Sequence, residues 1–76
     1  MKQNFLKLAA GVFGVNISEI SLSTAYKEFE PWDSIAFLRL VMEFEDEYGI
    51  SIPMERFGEF FTLGDFFKLL GGESSV

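Results

Sequence analysis

The stretch from Ser34 to Tyr48 constrains this chain more than any other, because one face and both ends of it are specified. Phe37, Val41, Phe44 and Tyr48 recur at helical spacing and form one apolar stripe, with Leu38 and Leu40 flanking it. Arg39, Glu43, Asp46 and Glu47 fall on the opposite arc. Asp33 stands where a carboxylate accepts one of the N–H groups that a helix start leaves unpaired. Gly49 stands where the backbone turns left-handed and a helix ends. A helix bounded in this way must bury its stripe against other elements, and no strand-like alternation persists elsewhere to supply a sheet.

The partners are therefore helices. Phe5, Leu8, Ala9, Val12 and Phe13 predict a first helix over 3–13 that Gly14 stops. Gly11 weakens it by roughly 1 kcal/mol relative to alanine. Residues 15–32 read as a long loop pinned by Val15, Ile17, Ile20, Leu22, Tyr26 and Phe29, with Asn16 and Glu19 framing one short turn. Loops of this length are often functional. Pro53 opens a short helix over 54–59 that Gly58 makes marginal. Thr62 and Asp65 form a capping pair for a last helix over 62–70, which Gly71-Gly72 stops, and residues 73–76 are expected to fray.

The predicted architecture is all-α: a single-domain four-helix bundle over 1–76, with a long loop between the first two helices and a short third helix. Its predicted core is Phe5, Leu8, Val12, Leu38, Val41, Phe44, Tyr48, Ile52, Phe60, Leu63, Phe66 and Leu70. Phe60 and Phe61 are adjacent and cannot point the same way on a helix, so one of them is a candidate for exposure. Trp32 fits two places, as a lid over the turn it occupies or as packing against the long loop.

Composition excludes several functions. With 76 residues, 49% of them hydrophobic and 10 of them Phe, the chain has enough for one small core. A net charge of −6 disfavours nucleic acid and anionic membranes, and it favours basic protein partners. There is no cysteine and no histidine, which removes disulfides, thiolate sites, the usual zinc ligand and the usual general base, so neither a metal site nor a catalytic residue is expected. Residues 1–6 do not read as a signal peptide, and no apolar run approaches the ~20 residues of a membrane span. The expectation is a soluble cytoplasmic monomer.

What chemistry remains lies at the helix start, in Pro31-Trp32-Asp33-Ser34-Ile35. Ser34 places one hydroxyl beside free backbone N–H groups and the positive end of the helix dipole, an arrangement that favours an attached phosphate. Without histidine, a hydrolase built on Asp33 and Ser34 would need Lys27 or Lys68 as its base, and neither is near in sequence. Ser34 therefore reads as a group that is modified, or, on these residues alone, as an ordinary helix-cap serine. The acids Glu43, Glu45, Asp46 and Glu47 read by themselves as a solvated face.

Taken together, these motifs resemble the acyl carrier protein family, the phosphopantetheine carriers of fatty-acid and polyketide synthesis. The similarity runs without gaps from Trp32 to Leu70, through Asp33-Ser34-Ile35, Glu45-Asp46-Glu47-Tyr48-Gly49, Ile52-Pro53 and Thr62-Leu63-Gly64-Asp65. Upstream, Phe13-Gly14-Val15 to Thr24 resembles the family's first helix exit and loop. The resemblance implies that Ser34 takes a covalent 4′-phosphopantetheine from coenzyme A through a phosphopantetheinyl transferase, with Asp33 and Ile35 completing the motif. Acyl groups would then ride on the arm's thiol as thioesters. It also implies that Phe37, Arg39, Glu43, Asp46 and Glu47 face partners, namely enzymes that build or transfer acyl chains and carry basic docking patches.

Three departures point to a specialised carrier with its own enzyme set. Arg39 stands where many members carry an acid, Phe37 where a small or polar residue is usual, and Phe57 and Phe66 where alanine is frequent. The two phenylalanines would shrink a cavity for an acyl chain. An aminoacyl or peptidyl carrier, including a D-alanyl carrier, is the nearest alternative, although Pro31-Trp32 before the motif favours an acyl cargo. An unmodified protein-interaction bundle is the alternative from another class.

Overall fold

The computed structural model describes residues 2–70 and has the all-α architecture of a four-helix bundle. Helix α1 spans Lys2–Phe13 and helix α2 spans Ser34–Tyr48. The third helix, Met54–Glu59, is 3-10 throughout. The fourth begins as α3, Leu63–Phe67, and tightens into a 3-10 turn over Lys68–Leu70. The expected stop at Gly71-Gly72 and the tail at 73–76 lie outside the described residues.

Aromatic rings fill the interior. Phe44 sits between Phe5 and Phe66, at ring-centre distances of 5.8 and 5.6 Å. Phe66 stacks on Phe60 at 4.5 Å, while Phe61 turns outward. Trp32 is only 2% exposed and packs on Phe13, Tyr26, Phe37 and Phe66, so it belongs to the core and does not cover the motif as a lid. No polar or charged residue is fully buried among the described residues. Rings in edge and offset contact supply a large share of the burial in so small a core.

The core differs from expectation on both long helices. Leu38 is 52% exposed, and Leu40 is fully buried in its place. The reason is phase: Leu40 lies three residues after Phe37 and four before Phe44, whereas Leu38 lies three after Ile35 and four before Met42, on the outer face. On α1, Leu6 and Ala10 are buried and Leu8 lies at the edge, because Phe5, Ala9, Val12 and Phe13 centre the buried arc away from it. Tyr48 and Leu70 also pack against the core from its margin.

The long loop is tied down at its far end. Two 3-10 turns, Ile17–Glu19 and Tyr26–Glu28, interrupt it, and Glu19 accepts the Asn16 N–H at 3.2 Å. Thr24 to Tyr26 then pair with the start of the fourth helix through a single antiparallel bridge, Ala25 with Thr62. Tyr26 N–H donates to Phe61 O at 2.7 Å, Leu63 N–H to Thr24 O at 3.1 Å, and Gly64 N–H to Leu22 O at 2.8 Å. Gly64 permits that approach, since a side-chain carbon there would lie 3.1 Å from the Leu22 carbonyl. This crosslink holds Tyr26 beside the start of α2.

Candidate functional site

The start of α2 is positioned from below, from the side and from within. Trp32 anchors the chain in the aromatic core, and its backbone N–H donates to Phe29 O at 2.9 Å. Asp33 is extended, and its Oδ1 accepts the Ala36 N–H at 2.9 Å while its carbonyl accepts the Phe37 N–H at 2.8 Å. That is the N-cap the sequence predicts. A helix start leaves four N–H groups without intrahelical partners, and the Asp33 carboxylate takes up the last of them, that of Ala36. The N–H groups of Ser34 and Ile35 remain outside this pairing, next to an exposed Ser34 hydroxyl.

Ser34 also stands on the rim of an open apolar cleft of about 340 Å³, lined by Tyr26, Ser34, Phe37, Leu38, Phe57 and Gly58. Three segments build it: α2, the tied-down end of the long loop, and the 3-10 helix. The cleft brings Ser34 together with Phe37 and Phe57, two of the departures noted above.

Phe37 requires a correction. It was expected on the partner face, but it is only 8% exposed and packs against Tyr26, Trp32, Phe57 and Phe66. Its place in the repeat with Val41 and Phe44 puts it on the inner face, so the surface it offers is the wall of the cleft. Arg39, Glu43, Asp46 and Glu47 are exposed on the outer face, and no ion pair to Arg39 within 4 Å occurs among the described residues.

Two residues of that face were missed by the sequence reading. Leu38 and Met42, the latter 64% exposed, line up with Ile35, which is 70% exposed. The signal was present in their spacing, since positions three and four apart share a side. They form an apolar strip alongside the arc that carries Arg39 and the acids. Glu45, by contrast, is occupied: its Oε2 accepts the Ile52 N–H at 2.7 Å and ties the end of α2 to the next segment.

No group of three or more His, Cys, Asp or Glu side chains suited to a metal ion occurs among the described residues, and no described helix is long and apolar enough to cross a membrane. Comparison with known proteins agrees with the geometry. The family model for the phosphopantetheine attachment site matches residues 3–70. A probable acyl carrier protein of Caulobacter vibrioides is 45% identical over 38 residues, an alignment that covers 50% of this chain and 44% of that protein. The match thus spans less than half of that relative's length. With a family match over nearly all of the described helices, this chain belongs to the phosphopantetheine-binding acyl carrier protein family.

Proposed function

We propose that Ser34 carries a covalent 4′-phosphopantetheine and that the protein ferries acyl groups, as thioesters on that arm, between enzymes of fatty-acid, polyketide or specialised lipid biosynthesis. The observation that carries this reading is the exposed Ser34 hydroxyl at a helix start whose first N–H groups lie outside the helix's own pairing. Those amides and the helix dipole stabilise a phosphodiester formed there. The serine oxygen forms the new bond to phosphorus, the pyrophosphate link of coenzyme A breaks, and the adenosine bisphosphate half leaves. A phosphopantetheinyl transferase supplies the base for that step, because this chain has no histidine.

The outer face of α2 serves as the docking surface. Glu43, Asp46 and Glu47 meet basic patches on the transferase and on acyl-handling enzymes, and Ile35, Leu38 and Met42 supply apolar contact. Arg39 places one positive charge in the middle of this face and selects against partners that are basic throughout. We place the protein's work in the cytoplasm, where coenzyme A is available.

Intact mass after incubation with coenzyme A and a broad-specificity transferase tests the reading. A pantetheine-sized gain that disappears in Ser34→Ala is expected. An unchanged wild-type mass would leave the unmodified interaction bundle as the better account.

A further inference from the structure

We propose that the cleft beside Ser34 is a binding site for the acyl end of the cargo, that it selects short acyl groups and above all planar aryl groups, and that the bundle interior stays closed to cargo. The inference rests on Ser34 as the tether and goes on to name the class of cargo.

The walls argue for the class. Tyr26 meets Phe37 at 5.1 Å with planes 80° apart, and Phe37 meets Phe57 at 5.8 Å with planes 35° apart. These three rings line the cleft with the aliphatic side chain of Leu38 and the bare backbone of Gly58. An aryl group adds to such a series in the offset or edge-on geometries that ring quadrupoles favour, and it gives up little internal freedom in doing so. A long alkyl chain gives up much more and finds no ring geometry to match.

The back of the cleft argues for the closed interior. Phe37 ends the cleft, and behind it lie Trp32 and Phe66, both with ring centres 5.9 Å away. Phe66 is itself stacked on Phe60, and Leu40, Phe44, Leu63 and Phe66 have no exposed surface. An alkyl chain entering the bundle would have to displace Phe37 from four ring contacts. An interior packed in this way yields only at considerable cost.

The occupant is specified by attachment. Ser34 lies on the rim, so an arm rooted there holds its cargo at high effective concentration over the cleft, and a weak site is then sufficient. The arm is flexible and can fold back to its root.

Two measurements test the proposal. In the first, Ser34 is loaded from benzoyl-, butyryl- and dodecanoyl-coenzyme A, and thioester hydrolysis is timed for each product. If three-quarters of the benzoyl arms are docked, hydrolysis slows about fourfold relative to a free benzoyl thioester, because only the undocked fraction meets water. The same comparison should give little slowing for dodecanoyl. Phe57→Leu should lose the benzoyl effect and Phe57→Tyr should keep it. Protection that grows with alkyl length, or benzoyl hydrolysis at the free rate, would overturn the proposal.

The second measurement does not depend on loading. The S-benzoyl thioester of N-acetylcysteamine is titrated into the unmodified protein while backbone amide resonances are followed. Shifts centred on Tyr26, Leu38 and Gly58 are expected, and shifts elsewhere or none would sink the aryl site. Failure to load Ser34 at all would count against the carrier reading and leave this titration to decide the cleft.

Discussion

The two ends of α2 are built on opposite plans. At the Tyr48 end the backbone is closed off: Gly49 turns left-handed with φ 65°, its N–H donates to Glu45 O at 2.9 Å, and Glu45 Oε2 accepts the Ile52 N–H at 2.7 Å. Phe44 and Tyr48 pack beneath, 5.0 Å apart. At the Ser34 end the carboxylate of Asp33 takes one N–H, the hydroxyl of Ser34 faces solvent, and an apolar cleft lies open beside it. The closed end holds the fold together. The open end leaves two backbone donors outside the helix's own pairing, where the proposed phosphodiester would form. Structure and chemistry are thus divided along one helix, and substitutions at the two ends should separate them.

The largest effect on stability should come from Phe44→Ala near the closed end. Phe44 has no exposed surface and touches Phe5 and Phe66, so its loss should cost about 3–5 kcal/mol in urea unfolding. That is a large part of the roughly 5–15 kcal/mol by which a domain is ordinarily stable. Glu45→Ala comes next, at about 1–3 kcal/mol, because it leaves the part-buried Ile52 N–H without its acceptor. Glu45→Gln should recover most of the loss, since an amide oxygen still accepts.

At the open end Asp33→Ala should cost about 1 kcal/mol, the usual worth of an N-cap. A cost above that of Glu45→Ala would break the contrast between the two ends. Ser34→Ala should change stability by under about 0.5 kcal/mol, as an exposed side chain free of structural partners, while abolishing mass gain from coenzyme A.

The smallest effect, and one of opposite sign, is expected at Tyr48. Its hydroxyl oxygen is covered and has no hydrogen-bond partner among the described residues, so Tyr48→Phe should leave stability at neutral pH unchanged or raise it slightly. Burial, and then the charge of Glu47, hold the Tyr48 phenol above its ordinary 10.0. The folded state therefore keeps this proton after the unfolded state has begun to lose it. The associated stability is complete below the unfolded value and is lost as pH rises through the folded one. Thermal melting of the wild type should fall more steeply above about pH 10 than that of Tyr48→Phe.

Local signals carried most of this molecule. The caps at Asp33 and Thr62, the left-handed ends at Gly14 and Gly49, and the apolar stripes of α1 and α2 all follow from residues close in sequence. Asp65 illustrates it: its Oδ2 accepts the Thr62 N–H at 3.0 Å, and its own N–H donates to Thr62 Oγ1 at 3.3 Å. The same carboxylate also accepts the Phe61 N–H at 2.8 Å, a bond the capping pair did not suggest.

What the sequence did not disclose depends on contacts between distant segments or on small errors of phase. The bridge between Ala25 and Thr62 joins residues 37 positions apart, and nothing local in either segment announces it. The close approach of Gly64 to the Leu22 carbonyl is hidden for the same reason. Leu38 and Leu40 differ by two positions, about 200° around a helix, so a stripe drawn too wide takes in the wrong leucine. That error also concealed the apolar strip of Ile35, Leu38 and Met42. The spacing of Phe37 put it in the buried stripe while the resemblance implied the partner face; the spacing was the better guide, and the cleft it walls is formed together with the loop and the 3-10 helix.

The division of α2 into an open and a closed end is tested most directly by the backbone amide spectrum recorded before and after loading with coenzyme A. Attachment at Ser34 should move the Ser34 and Ile35 amides most, as they turn toward the new phosphate, and leave Gly49 and Ile52 where they were. A loaded protein whose largest changes fall at Gly49 and Ile52, with Ser34 and Ile35 unmoved, would contradict the account.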